Sequence, residues 1–118
     1  MSRRTERIAE QLKEEIARVL REDVSDPRIG MVTLTRLDCA PDLSNALVYW
    51  SSVEAHSEDA LAEVGDGLAS AASFVRGRIA GVLPLRRVPR LDFRYDPTLE
   101  QGDRMLSLLG EIADGEEE

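Results

Sequence analysis

The chain has one cysteine, Cys39, and one histidine, His56, in 118 residues. A single cysteine excludes an intrachain disulfide, and the two residues leave no ligand set for a structural zinc, which takes four Cys or His donors. No stretch approaches the roughly 18 continuous apolar residues of a membrane span. The opening MSRRTERIAE leads into no apolar segment of the kind a secretory signal carries. The expectation is a soluble cytoplasmic protein with no membrane partner. Aromatic residues make up only 4% of the chain, so Tyr49, Trp50, Phe93 and Tyr95 are expected mainly in the core and not as a platform for stacked bases. The glycines never fall three apart, so the GxxG loop with which standard KH domains clamp a phosphate backbone is missing. GDGLAS, residues 65–70, lacks the third glycine of a dinucleotide fingerprint and follows no strand. No GxSxG elbow presents a serine, His56 sits in a polar connection, and Asp38 and Asp42 read as solvated carboxylates beside a turn. Neither catalysis nor a metal or cofactor is expected.

What is present suffices for one domain: the length is ordinary, and 42% apolar residues can bury a single core. Ile8, Leu12, Ile16, Val19 and Leu20 recur at spacings of three and four within residues 3–22, the stripe of an amphipathic helix. SDPRIG makes a turn. MVTLTRLDC and LSNALVYWS, rich in β-branched and aromatic residues and separated by a short loop, predict an antiparallel pair of strands. Ser57 can cap a helix over residues 57–82, with Glu58 and Asp59 favourable in its first turn. Straight, that helix would be about 39 Å long, so a break or bend is predicted near Gly65, Gly67 and the small-residue run ASAAS at 69–73. Pro84 stops it, and Pro89 opens a third strand in which Leu91, Phe93 and Tyr95 face one way and Arg90, Asp92 and Arg94 the other. A short C-terminal helix over about 97–112, using Leu99, Met105, Leu106, Leu108 and Leu109, completes a domain of residues 1–112. Residues 113–118 are expected to be a disordered acidic tail. The class is therefore α+β: a three-stranded sheet packed by helices in the order helix, strand, strand, bent helix pair, strand, which is the order of a type II KH domain.

The formal net charge of −8 hides a segregation of charge. Residues 37–75 hold seven acids and no Lys or Arg, whereas residues 76–94 hold Arg76, Arg78, Arg86, Arg87, Arg90 and Arg94 against Asp92 alone. Five further acids fall in the last eight residues, and without them residues 1–110 carry 15 bases against 18 acids. Local field, not the sum, guides a phosphate backbone. The guanidinium fork bonds phosphate through two donors and stacks on bases. In a KH-like arrangement the six arginines can share one RNA-binding face.

Several spaced segments together resemble the ribosome-binding factor A family: DPRIG, LDCAPDLSNALVYWS, FVRGRI and LRRVPRLDFRYDPTLEQGDRM, over about Arg3 to Gly110. The resemblance implies a noncatalytic factor of ribosome biogenesis that acts in the cytoplasm as a monomer. It would bind the immature 30S subunit, assist 5′-end maturation of 16S rRNA and serve cold adaptation, with release linked to a GTPase or an initiation factor. In that family an Ala-x-Gly kink takes the place of GxxG. Its positions here are Ala71, Ala72 and Ser73, with serine where the family has glycine. Two other readings remain open: a KH-like protein-interaction module without RNA affinity, and a small hydrolase using Asp38 or Asp42.

Overall fold

A computed structural model of the protein describes residues 3–97, and within them one buried cluster joins five elements. Helix α1, Arg3–Glu22, buries the predicted stripe, with Leu12, Ile16 and Val19 wholly inaccessible to solvent. Its outer face is held by Arg18, which bonds Glu15 at 2.6 Å and Glu22 at 3.1 Å. The turn that follows is built by Asp26, whose carboxylate accepts from the Arg28 amide at 2.9 Å and from its guanidinium at 2.7 Å. Gly30 ends the turn with φ +60, a left-handed conformation that glycine adopts without steric cost.

Strands β1, Val32–Cys39, and β2, Asn45–Ser52, pair antiparallel, and β3, Arg90–Tyr95, joins β2 in parallel, so both β1 and β3 are edges. Leu34 lies opposite Trp50 and Arg36 opposite Tyr49, which leaves Thr35 as the extra residue of a bulge. The bulge restores the alternation that puts Leu37 and Cys39 inside with Leu34. Ala46, Val48 and Trp50 line the inner face of β2, opposite Leu91, Phe93 and Tyr95 of β3. Trp50 meets Tyr95 edge to face at 5.3 Å between centroids. Trp50, Phe93 and Tyr95 thus belong to the core, as expected. Tyr49 instead faces outward under the Arg36 guanidinium at 4.3 Å. Cys39 packs in the core, where burial pushes its thiol pKa up.

Helix α2, Glu58–Val82, starts as expected, with the Ser57 hydroxyl accepting from the Ala60 amide at 3.1 Å. The predicted bent helix pair is instead one unbroken helix through Gly65, Gly67 and residues 69–73. The glycine that suggested a break serves packing: a Cβ on Gly67 would lie 2.8 Å from Cγ1 of Ile29 and 3.3 Å from Cβ of Arg28. The turn after α1 rests on α2 there, and only a residue without a side chain permits that approach. The expected C-terminal helix and residues 113–118 lie outside the described residues.

Candidate nucleic-acid interface

β3, Asn45 and Leu47 of β2, and one stripe of α2 line a groove of about 710 Å³. The stripe is Ala69, Ala72, Ser73 and Arg76, at helical spacings of three and four, so its floor is small and its end is cationic. Arg90 stands across from Arg76 at the start of β3. Ala71, the remaining member of the predicted kink, faces the core.

Two local devices place Arg90. The β1–β2 loop turns tightly at Leu43, whose φ is +60, and Asp42 secures it by accepting from the Ser44 amide at 3.0 Å and hydroxyl at 2.6 Å. These bonds, with a smaller contribution from Arg87, hold the Asp42 carboxyl below its ordinary pKa. The Ser44 carbonyl then accepts from the Arg90 amide at 2.9 Å and fixes where β3 begins. From α2, the Arg76 guanidinium donates to the carbonyls of Pro89 at 3.0 Å and Val88 at 3.1 Å, tying the incoming loop to the helix.

Arg86 and Arg87 lie on that loop and line a second cleft of about 440 Å³ with Arg4 of α1 and Asp42. Sequence reasoning passed over Arg4. Its signal was the run of Arg3, Arg4 and Arg7 at the start of the chain, which α1 carries to the same end of the molecule as the 84–87 loop. The β1–β2 loop borders the second cleft through Asp42 and Leu43, and Asn45, the first residue of β2 just after it, borders the first groove, so Arg4, Arg76, Arg86, Arg87 and Arg90 gather at one basic end.

The other two predicted arginines stand apart. Arg78 lies over the exposed Phe74 ring at 5.1 Å, and neither residue borders either cleft. Arg94 projects from the outer sheet face and holds Asp92 through two bonds, 3.1 and 2.8 Å. That fork lowers the Asp92 pKa and raises that of Arg94. Because Asp92 lines the groove, Arg94 neutralises a charge that would otherwise oppose a phosphate there. Asp38 is engaged by Arg36 at 3.2 Å. No group of three or more His, Cys, Asp or Glu residues is gathered for a metal among the described residues.

The sequence model of ribosome-binding factor A matches residues 4–109. The chain belongs to the ribosome-binding factor A family. A ribosome-binding factor A from Pelobacter propionicus is 42% identical over 113 residues, covering 96% of this chain and 91% of that protein. One from Shewanella loihica is 44% identical over 109 residues, covering 92% and 77%. The crystal structure of ribosome-binding factor A from Thermus thermophilus superposes with a TM-score of 0.68 at 24% identity, covering 77% of this chain and 93% of that one. Coordinates of the Thermus thermophilus factor fitted into a cryo-electron-microscopy map of its 30S complex give a TM-score of 0.63 at 25% identity over the same shares. The fold is the KH-like α+β fold of that family.

Proposed function

We propose that this chain is a noncatalytic assembly factor that binds the small ribosomal subunit in the cytoplasm and assists 5′-end maturation of its 16S rRNA. The observation that carries the reading is the basic end, where Arg76 and Arg90 flank a groove floored by Ala69, Ala72 and Ser73. Small side chains let a sugar–phosphate backbone approach the helix as the glycines of GxxG do in standard KH domains. Arg4, Arg86 and Arg87 extend the positive surface beyond the groove's end. Family membership supports the same partner, since a relative of this fold has been fitted into a 30S complex. Arginine contacts to phosphate position an RNA without reading its sequence, so selectivity for the subunit comes from the folded shape of its RNA. Release by a GTPase or an initiation factor belongs to the same proposal.

Sedimentation of cell extract through a sucrose gradient tests it. The protein is expected with free small subunits and absent from translating ribosomes. Even distribution across all fractions, or recovery only at the top of the gradient, would overturn the assignment.

A further inference from the structure

The outer face of the sheet carries two rows of side chains that run across all three strands. In one row Tyr49 of β2 stands between its register partners, Arg36 of β1 and Arg94 of β3. In the next, Leu47 stands between Asp38 and Asp92. A cationic row around an aromatic ring thus lies beside an acidic row around an aliphatic side chain, about 7 Å away, the rise of two residues. Arg36 bonds Asp38 at 3.2 Å and lies over the Tyr49 ring at 4.3 Å, and Arg94 bonds Asp92 at 2.8 Å. The face is open: the side chains of Arg36 and Arg94 are 62% and 60% exposed, those of Asp38 and Asp92 38% and 47%.

This pattern does not fit an RNA backbone, which would meet Asp38 and Asp92 between the arginines. A partner of one charge would satisfy one row and be repelled by the other. The pattern fits itself. Take a twofold axis midway between two facing sheets, parallel to the rows and centred between them. It carries each row of one copy onto the other row of its mate and keeps every strand over the same strand. Arg36 then meets Asp38 of the second copy, Arg94 meets Asp92, and Tyr49 meets Leu47, each contact occurring twice, as an isologous interface requires. Facing sheets align to within about 30°, a crossing that short rows over three strands tolerate. Each guanidinium carries enough donors to bond an acid of its own strand and one of the second copy at once.

We infer that two copies of this chain pair reversibly through the outer faces of their sheets, the Arg36–Tyr49–Arg94 row of each seated on the Asp38–Leu47–Asp92 row of the other. Exposed ion pairs contribute little, and only two apolar side chains per copy take part, so the pairing is weak and the dilute protein is a monomer. Pairing requires nothing of RNA binding and stands or falls separately from it.

Sedimentation velocity of the full-length protein over a range of concentrations at low salt tests this. The sedimentation coefficient is expected to rise with concentration from monomer toward dimer, and to fall back in high salt, which screens exposed charges. Arg36→Asp sets acid over acid at both β1 contacts, and Asp38→Arg sets base over base, so each change alone should weaken pairing by about tenfold. Mixed in equal amounts, the two variants face acid with base at both contacts, and pairing should return to at least the parent's strength. A variant that had lost its fold could not give that recovery. Asp92→Arg and Arg94→Asp repeat the experiment on β3 and should behave alike. A monomer at every concentration, pairing that the single changes leave intact, or mixtures that stay monomeric would each overturn the inference.

Discussion

The Arg76 guanidinium donates to the backbone carbonyls of Pro89 and Val88, so one of the six arginines that single out residues 76–94 serves first as a strut for the loop bearing Arg86 and Arg87. Replacing it should act on both stability and binding. For Arg76→Ala, losing two hydrogen bonds from a charged donor at a part-exposed site costs about 1 kcal/mol, read as a fall in Tm of roughly 4 °C. Subunit binding should weaken in the same variant. Lysine, which lacks the planar fork, should restore little of either. An Arg76→Ala protein with unchanged Tm would show that the loop holds itself.

Glycines 67 and 77 lie on the same helix and should respond in opposite directions to alanine. Among the described residues nothing lies within 4 Å of a Cβ on Gly77, so Gly77→Ala gains helix propensity and stabilises by about 0.5–1 kcal/mol. On Gly67 the added methyl meets buried Ile29 at 2.8 Å. Overpacking of about 1–3 kcal/mol then exceeds the propensity gain. Gly67→Ala should therefore destabilise and Gly67→Val should do so more, as measured by urea denaturation.

Acid should weaken the fold in a defined direction. Asp26, Asp42 and Asp92 are all held below their ordinary pKa, by Arg28, by Ser44 and by Arg94 respectively. A carboxylate with a depressed folded-state pKa contributes stability that is present above its unfolded value, about 3.9, and is lost as pH falls through the folded value. Asp42 is exposed and Asp26 and Asp92 are part-exposed, so solvent screens each contribution and keeps it small. Asp26→Asn should be less stable than the parent at pH 7, and the two should converge as the pH drops below about 3.9. A gap of constant size across that range would mean that the effect is steric.

Helix α1, the β1–β2 hairpin and the inward face of β3 were legible because each rests on local periodicity, the helical stripe of Ile8 to Leu20 or the alternation of Leu91, Phe93 and Tyr95. The continuity of α2 was not. Gly67 reads locally as a weak point in a helix, and its reason is contact with Ile29, 38 positions earlier in the chain. The arginines were legible as a group, but their division was not. Whether a guanidinium faces a groove, ties a loop or neutralises Asp92 depends on which elements meet, and spacing within residues 76–94 does not encode that. Arg4 lay too far along the chain to be joined to Arg86 and Arg87 without the fold. The bulge at Thr35 shows in the sequence only as a break of phase between Leu34 and Leu37, and the parallel pairing of β3 with β2 leaves no mark in the alternation pattern.

Binding to unstructured RNA should be weak and steeply dependent on salt. With about four phosphate contacts at the basic end, counterion release gives a log–log slope of roughly −3, at about 0.7 per contact for a single strand. Titration of a labelled single-stranded RNA at several salt concentrations measures it. A slope near zero would point to the protein-interaction reading.

The most direct test reverses charge at the basic end and, in a matched variant, away from it. Arg86, Arg87 and Arg90 are changed together to Glu in one protein, and Arg21, Arg36 and Arg78, which line neither cleft of the basic end, in the other, so net charge alters equally. Binding to purified small subunits is followed by pelleting, and Tm is recorded for both. The account predicts that the first variant loses subunit binding with little change in Tm, since exposed charges contribute about 0–1 kcal/mol, while the second still pellets with the subunit. Normal binding by the first variant, or equal loss in both, would contradict the assignment of the RNA surface to this end of the molecule.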